Sequence, residues 1–357
     1  MLYMMSDANP ENSAPDSRPN RIYKMEMKLT ADGFSLADRG FVYLMAPKKS
    51  TLALDLEGMA RLANGNIILS AEMQSYHKQG APRGLRFINV FDAAGNWLRG
   101  VDVPDAYLPA SEIKAPGDAP RQRRRFDFDA PPHGFKYNKG FEALSLSPSQ
   151  NFLFAGNEQA LLQDRLEICT EVKTVPAPNV DGSIAASIQV GRPQKTCHRE
   201  RDSIRILKMK RADDNFSFDS QYRYQIEDGS DNGVSEMLAL SDSAVLVLER
   251  GFDSVTQKVT ARVFLVRLDT NKAFSDATGI AKAAVLEKKL VLDFNDLLPG
   301  LAPGLKRIDN LEAMAFGPHA ANGRKTIIFA SDNNFSGQQR TQILLFEIGS
   351  ELATLVQ

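Results

Sequence analysis

Nine acidic residues recur at two kinds of position in this chain. Glu57, Glu142, Glu236 and Glu312 each open a short apolar run, and Asp7, Glu72, Glu158, Glu249 and Asp332 each close one. A carboxylate set into an apolar run is costly unless it is paired, hydrogen-bonded or bound to a cation. If such residues converge, some must stay protonated or a positive charge must join them. Hard divalent cations do this well: Ca²⁺ accepts six to eight oxygens in irregular cages. The histidines, His77, His133, His198 and His319, are scattered and form no pair at metal-ligand spacing, which points to Ca²⁺ or Mg²⁺ rather than zinc. The competing role for each acid is structural, capping a backbone amide or pairing with an arginine such as Arg83, Arg250 or Arg340.

Other reaction chemistries lack their signatures. The chain has no G-x-S-x-G elbow, no H-E-x-x-H and no glycine-rich dinucleotide fingerprint. "NGRKT" at 322–326 resembles the end of a phosphate loop but lacks the earlier glycine and sits in a hairpin pattern. The basic run "RQRRRFDFDAPPHGFKY" from Arg121 is followed at once by acids and reads as a solvated loop.

The elements that must position the acids come from an internal repeat. "DLEGMARLANGNIILSAEM", "GFEALSLSPSQNFLFAGNE", "GVSEMLALSDSAVLVLERGF" and "NLEAMAFGPHAANGRKTIIFASDNNF" share one plan. Each has a Glu in an alternating apolar strand, a turn of small polar residues, a second apolar strand and a closing acid. Each is followed by two more strand-like runs, and "LYMMSD" matches the second half of the unit. Four antiparallel strands per repeat make a propeller blade. The expectation is an all-β chain, a β-propeller of about five four-stranded blades, the first incomplete at the N-terminus. It would form a single domain over residues 1–357, with long insertions at about 104–134 and 160–202. Those insertions leave room for a sixth blade but show no strand pairs strong enough to make one. "SDATGIAKAAVLEKK" is the one stretch with helical periodicity, and "LATLV" is expected as a short final strand. In a propeller the first strand of each blade lines the central channel. Antiparallel pairing returns the end of the second strand to the same rim, so both sets of acids should meet at one mouth.

Composition sets outer bounds. Of 357 residues, 43% are hydrophobic and 24% charged, and the formal net charge is -1. No global field draws this chain to nucleic acid or to an anionic membrane. No apolar run reaches the roughly 18 residues a spanning helix needs. The N-terminus has no basic region followed by an apolar core, so it reads as a strand and polar loop rather than a signal peptide. The expectation there is a unit met partway through, with a leader missing from this chain. The two cysteines, Cys169 and Cys197, share one Pro/Gly-rich insertion. They are a disulfide candidate, worth about 3 kcal/mol on the chain-entropy model, and a disulfide implies an oxidising compartment. Two free thiols are the alternative.

The repeated segments resemble the phytase-like domain family, also described as the esterase-like activity of phytase. The resemblance spans 2–348 and is most specific at Asn310 to Met314, Ser331 to Phe335 and Gln339 to Gln342. It implies a secreted or periplasmic bacterial propeller whose repeated acids carry a phosphoesterase-type activity. Those positions fall on Glu57, Glu142, Glu236, Glu312, Asp7, Glu249, Asp332 and Arg340. The chain departs from the pattern at Ala143 and Ala313, where Gly is common, and at Asn333, where a second Asp is common.

The leading expectation is a metal-dependent phosphoester hydrolase, phytase-like or phosphodiesterase-like. Rim carboxylates among Glu57, Glu142, Glu236, Glu312, Asp7, Glu249 and Asp332 would hold Ca²⁺. Arg340 or Arg250 would hold phosphate oxygens, and a rim Glu, Glu312 or Glu142, would act as general base. The substrate would be a small phosphorylated or ester compound and the protein a monomer. Two alternatives stay open: a non-catalytic, calcium-stabilised binding or scaffold propeller, and a calcium-dependent lactonase or other esterase.

Overall fold

The computed structural model describes residues 1–6, 20–30, 33–45, 54–72, 86–108, 133–135, 139–165, 167–172, 194–199, 203–213, 215–227, 232–253, 258–276, 279–300, 307–334 and 336–356. Asp7, Arg83, His77, the Arg121 loop and most of both long insertions lie outside the described residues, as do the side chains of Cys169 and Cys197.

The period-two apolar runs fold into antiparallel sheets, giving a five-bladed β-propeller. Blade 1 has three strands: β1 (Leu2–Ser6), β2 (Arg21–Thr30) and β3 (Gly33–Tyr43). Blade 2 runs β4 (Leu56–Arg61), β5 (Ile67–Ala71), β6 (Ile88–Phe91) and β7 (Trp97–Val101). Blade 3 starts with β8 (Phe141–Leu146) and β9 (Phe152–Asn157). A separate two-stranded ribbon, β10 (Glu167–Val172) and β11 (Gln194–Arg199), follows, and β12 (Ser203–Ala212) and β13 (Asn215–Gln225) complete the blade. Blade 4 is β14 (Gly233–Ser241), β15 (Ala244–Asp253), β16 (Lys258–Arg267) and β17 (Lys288–Asp293). Blade 5 is β18 (Asn310–Phe316), β19 (Thr326–Asp332) and β20 (Ile343–Glu347).

The inner strands pack in sequence, β4 beside β8, β8 beside β14 and β14 beside β18. The core sits between blade faces rather than inside any one sheet. Ile22, Leu56, Leu69 and Phe91 join blades 1 and 2. Leu62, Ile68, Phe141, Leu153 and Leu207 join blades 2 and 3. Phe154, Ile206, Val234, Met237 and Val247 join blades 3 and 4, and Leu246, Val263, Leu311 and Phe329 join blades 4 and 5. Full burial of such a side chain contributes about 1.5–3 kcal/mol. The inner strands approach so closely that Gly58 has no room for a side chain. A Cβ there would lie 2.5 Å from Leu144 Cβ and 2.9 Å from its backbone nitrogen.

Two expectations about elements change. The final "LATLV" is not a strand. A short helix, α2 (Ser350–Ala353), follows blade 5, with α1 (Phe294–Leu297) earlier after blade 4. Leu352, Leu355 and Val356 then pack on the blade 4/5 core, a use of spaced apolar residues that a helical turn satisfies without a fourth strand. The "SDATGIAKAAVLEKK" stretch is not a helix either. It holds a 3-10 turn at Ile280–Lys282, entered through Gly279 at φ 70°. It then runs alongside β13, where Leu286 N–H donates to Arg223 O (2.9 Å). Gly279 provides a conformation that would break a helix.

Candidate functional site

The inner strands of blades 2, 3 and 5 are irregular where their first acid falls. In blade 3, Phe141 faces Asn157 and Ala143 faces Gly156, so Glu142 is the extra residue of a β-bulge. In blade 5, Leu311 faces Ser331 and Ala313 faces Ala330, which makes Glu312 the extra residue. Blade 2 has its irregular step between Leu56 and Met59, at Glu57 and Gly58. A bulge bends the strand and re-aims one side chain. It therefore answers why an apolar strand tolerates a carboxylate: the bulge turns that residue out of the alternating pattern.

Blade 4 obeys the same geometry with other residues. Val234 faces Glu249 and Glu236 faces Leu248, so the extra residue is Ser235, not Glu236. The residue opposite Gly233 is Arg250. The corresponding positions are Glu72 opposite Asp55, Glu158 opposite Gly140 and Asp332 opposite Asn310. Blade 4 thus places a hydroxyl and a guanidinium where its neighbours place two acids.

These positions meet. One carboxylate oxygen from each of Glu72, Glu142 and Glu158 lies within 4.8 Å of the others, and all three residues are buried. Arg250 Nη2 reaches in from blade 4, 3.8 Å from Glu142 Oε1, 3.7 Å from Glu158 Oε1 and 3.3 Å from Glu312 Oε1. Lys139 Nζ donates to Glu158 at 2.7 Å. Gly140 N–H donates to Glu72 Oε1 (2.8 Å), tying blade 2 to blade 3. Val234 N–H donates to Glu158 O (3.0 Å), tying blade 3 to blade 4. Gly233 permits that contact, since a Cβ there would sit 2.9 Å from Glu158 Cγ. Asn310 Nδ2 donates to Glu312 Oε1 (2.6 Å).

Crowding of acids in a dry site moves their proton affinities. Burial, then the neighbouring Asp55 and Glu158 charges, push the Glu72 carboxyl up to about 8 against the Gly140 hydrogen bond. Glu142 is pushed well above the usual carboxylate range by burial and by Glu158, Glu72 and Glu312, with Arg250 opposing. Burial raises Glu312 too; Arg250 pulls it back down, and Asp332 adds to the rise. The donor set is oxygen-only, and Glu72 Oε2 is buried without a hydrogen-bond partner among the described residues. Two oxygens bound to one Ca²⁺ can be no farther apart than about 5 Å, twice the Ca–O distance, so the triad's spacing fits such a cation.

Other sequence-derived candidates have different surroundings. Glu236 is buried, and its Oε1 accepts N–H bonds from Met237 (2.9 Å) and from Leu144 of blade 3 (3.2 Å). Burial raises its pKa well above the usual range. Glu249 points to the opposite face of β15 from Arg250. Its carboxylate accepts from Tyr224 OH (2.5 Å), Lys288 Nζ (2.7 Å), Glu227 N–H (2.9 Å) and Asn232 Nδ2 (3.0 Å). The structure does not bring these two residues into the triad. Asp332 stands near Glu312 at the rim. Arg340 is exposed; its N–H donates to Asp309 Oδ2 (3.1 Å) and its carbonyl accepts from Ser331 Oγ (2.7 Å). Glu57 belongs to a second group, with Asp55 and Glu72, whose ligand atoms also lie within 4.8 Å of one another.

Sequence reasoning passed over Asp55, Lys139 and Ser235. Asp55 and Lys139 lie two and three residues before the bulged glutamates of blades 2 and 3, so the repeat alignment contained the signal. Ser235 was hidden because Glu236 lies next to it and attracts the alignment.

No helix among the described residues is long and apolar enough to cross a membrane. A family model named Phytase-like, described as "Esterase-like activity of phytase", matches residues 1–335. A search of curated proteins finds no match.

Proposed function

Since this chain belongs to the Phytase-like family, we propose that it is a metal-dependent phosphoester hydrolase working at the channel mouth. The observation that carries this reading is the buried triad Glu72, Glu142 and Glu158, packed within 4.8 Å beside the Arg250 guanidinium. Glu72, Glu142 and Glu158 would hold a Ca²⁺ ion, with Mg²⁺ as the alternative. When bound, such an ion polarises a phosphoryl oxygen and lowers the pKa of a coordinated water. Arg250 would hold a phosphate oxygen, a role supported by its reach to carboxylates of blades 3 and 5. Its planar fork suits bidentate recognition. Glu312 is the general base of this scheme. Its Oε1 is taken by Asn310 and faces Arg250, which leaves Oε2 to receive a proton from water. A carboxyl raised toward neutrality serves that role better than an ordinary one.

The test is a substrate panel of bis-nitrophenyl phosphate, phytate, a nitrophenyl carboxylic ester and a lactone, each with Ca²⁺ and with chelator. The expected result is phosphoester turnover that needs the cation and falls by about 100-fold or more in Glu312→Gln. Turnover of the lactone or carboxylic ester alone would replace this reading with the esterase one.

A second reading has its own support. Arg250 of blade 4 touches acids of blades 3 and 5 at once, a clamp a scaffold propeller could use with a structural Ca²⁺. Chelation would then lower the melting temperature while no ester in the panel is cleaved. We further read the protein as a single propeller domain, monomeric, secreted or periplasmic. The register places Cys169 directly opposite Cys197 across β10 and β11, a backbone spacing compatible with a disulfide. A mass shift of two hydrogens on reduction would establish it.

A further inference from the structure

Glu72 belongs to two carboxylate groups. With Glu142 and Glu158 it faces blade 3, and with Asp55 and Glu57 it completes a group within blade 2. The second group is built by the strand register. Glu72 N–H donates to Asp55 O (2.8 Å), which holds these two residues opposite each other. Glu57 sits in the irregular step of β4. All mutual ligand-atom distances in this group are again within 4.8 Å.

Glu72 itself carries the independent sign of a ligand. The residue is 2% exposed, its Oε1 accepts from Gly140 N–H, and among the described residues its Oε2 has no hydrogen-bond partner. A buried carboxylate oxygen left without a donor is a costly arrangement that structures keep for a reason. Glu72 is common to both groups, and a carboxylate has lone pairs enough to meet more than one cation. A carboxylate between two metal ions about 3.5–4 Å apart is a recurrent arrangement in phosphoryl-transfer sites.

We propose that Glu72 bridges two oxygen-preferring divalent cations, one held with Glu142 and Glu158, the other with Asp55 and Glu57. The proposal rests on the cation reading above and extends it from one ion to two. The second ion sits within blade 2, and the shared carboxylate couples it to blade 3. Lys139 touches both oxygens of Glu158, so the ion on that side must displace or share that contact. Removing the Lys139 charge therefore tightens one of the two ions.

The experiment titrates Ca²⁺ alone into the chelator-treated full chain, by calorimetry and by equilibrium dialysis. Circular dichroism and urea unfolding check that each variant is folded. The expected result is two ions per chain. Asp55→Asn and Glu142→Gln should each lose a different one, with affinity for it falling at least tenfold. Glu72→Gln, which keeps the side-chain shape, should weaken both. Glu57→Gln replaces Asp55→Asn if the latter does not fold. One ion per chain, unaffected by Asp55→Asn and Glu57→Gln, would overturn the bridge while leaving the single-cation reading intact. No bound ion at millimolar Ca²⁺ would overturn both.

Discussion

Glu72 offers the sharpest physical prediction because the sign of its effect is fixed. Its carboxyl sits near 8 in the folded chain, against an ordinary value of 4.5, chiefly through burial. An acid whose folded value is raised binds its proton more tightly when folded. Its contribution to stability is therefore present in full at pH values below 4.5 and is lost as pH rises toward 8. Each tenfold change in proton affinity is worth about 1.4 kcal/mol, so the loss across this window reaches about 5 kcal/mol. A divalent cation on Glu72 would stabilise the ionised form and reverse the loss. In urea unfolding at pH 5, 6, 7 and 8, the chelated wild type should weaken steadily through the series. Saturating Ca²⁺ should flatten the slope, so its stabilisation should grow with pH. Glu72→Gln, which cannot ionise, should remove the share of the slope that Glu72 contributes in chelator, leaving the share of the other raised carboxyls Glu142, Glu236 and Glu312. The reasoning is refuted if Ca²⁺ stabilises equally at pH 5 and pH 8, or if Glu72→Gln keeps the wild-type slope.

Three further outcomes test the surrounding structure. Arg250→Gln withdraws the cation that Glu142, Glu158 and Glu312 share. Thermal melts in chelator should show a loss of about 2 kcal/mol, partly restored by Ca²⁺, because carboxylates left without their counter-charge are costly. Gly58→Ala should cost about 2 kcal/mol or more, since the new methyl meets Leu144 backbone and side chain; an unchanged urea midpoint would mean that β4 and β8 are less tightly packed than described. Arg205→Met should cost about 3–5 kcal/mol. That arginine is buried, bonded through Nε and Nη2 to Asp164 (2.5 and 2.8 Å) and paired with Asp276. The cation dependence of any hydrolysis should not change with it.

The propeller was legible because its signal is repetition. Four copies of an acid-strand-turn-strand unit fix the architecture even where single strands are ambiguous, and "LYMMSD" marked blade 1 as short of one inner strand. The repeat also marked Glu142 and Glu312 as the acids of their inner strands, but at the closing position of blade 4 it marked Glu249, and Arg250 was read only as a partner for the acids or a phosphate. The rest depends on register, which a sequence does not print. A one-residue shift moves a side chain to the other face. That is why Glu249 packs with Tyr224 and Lys288 while Arg250, its neighbour, enters the mouth. The bulge in β14 selects Ser235 over the adjacent Glu236 in the same way. Asp55 and Lys139 acquire meaning only through partners far along the chain or across a strand pair. The helix α2 was missed because four or five apolar-rich residues at a chain end satisfy either period.

The most direct test of the account follows Ca²⁺ occupancy and bis-nitrophenyl phosphate hydrolysis together in one titration of chelator-treated protein. The account predicts that activity is absent at zero cation, rises in proportion to occupancy of the ion held by Glu142 and Glu158, and that Glu142→Gln loses that ion together with the activity. Full activity in chelator, or Ca²⁺ binding that Glu142→Gln leaves untouched, would contradict it.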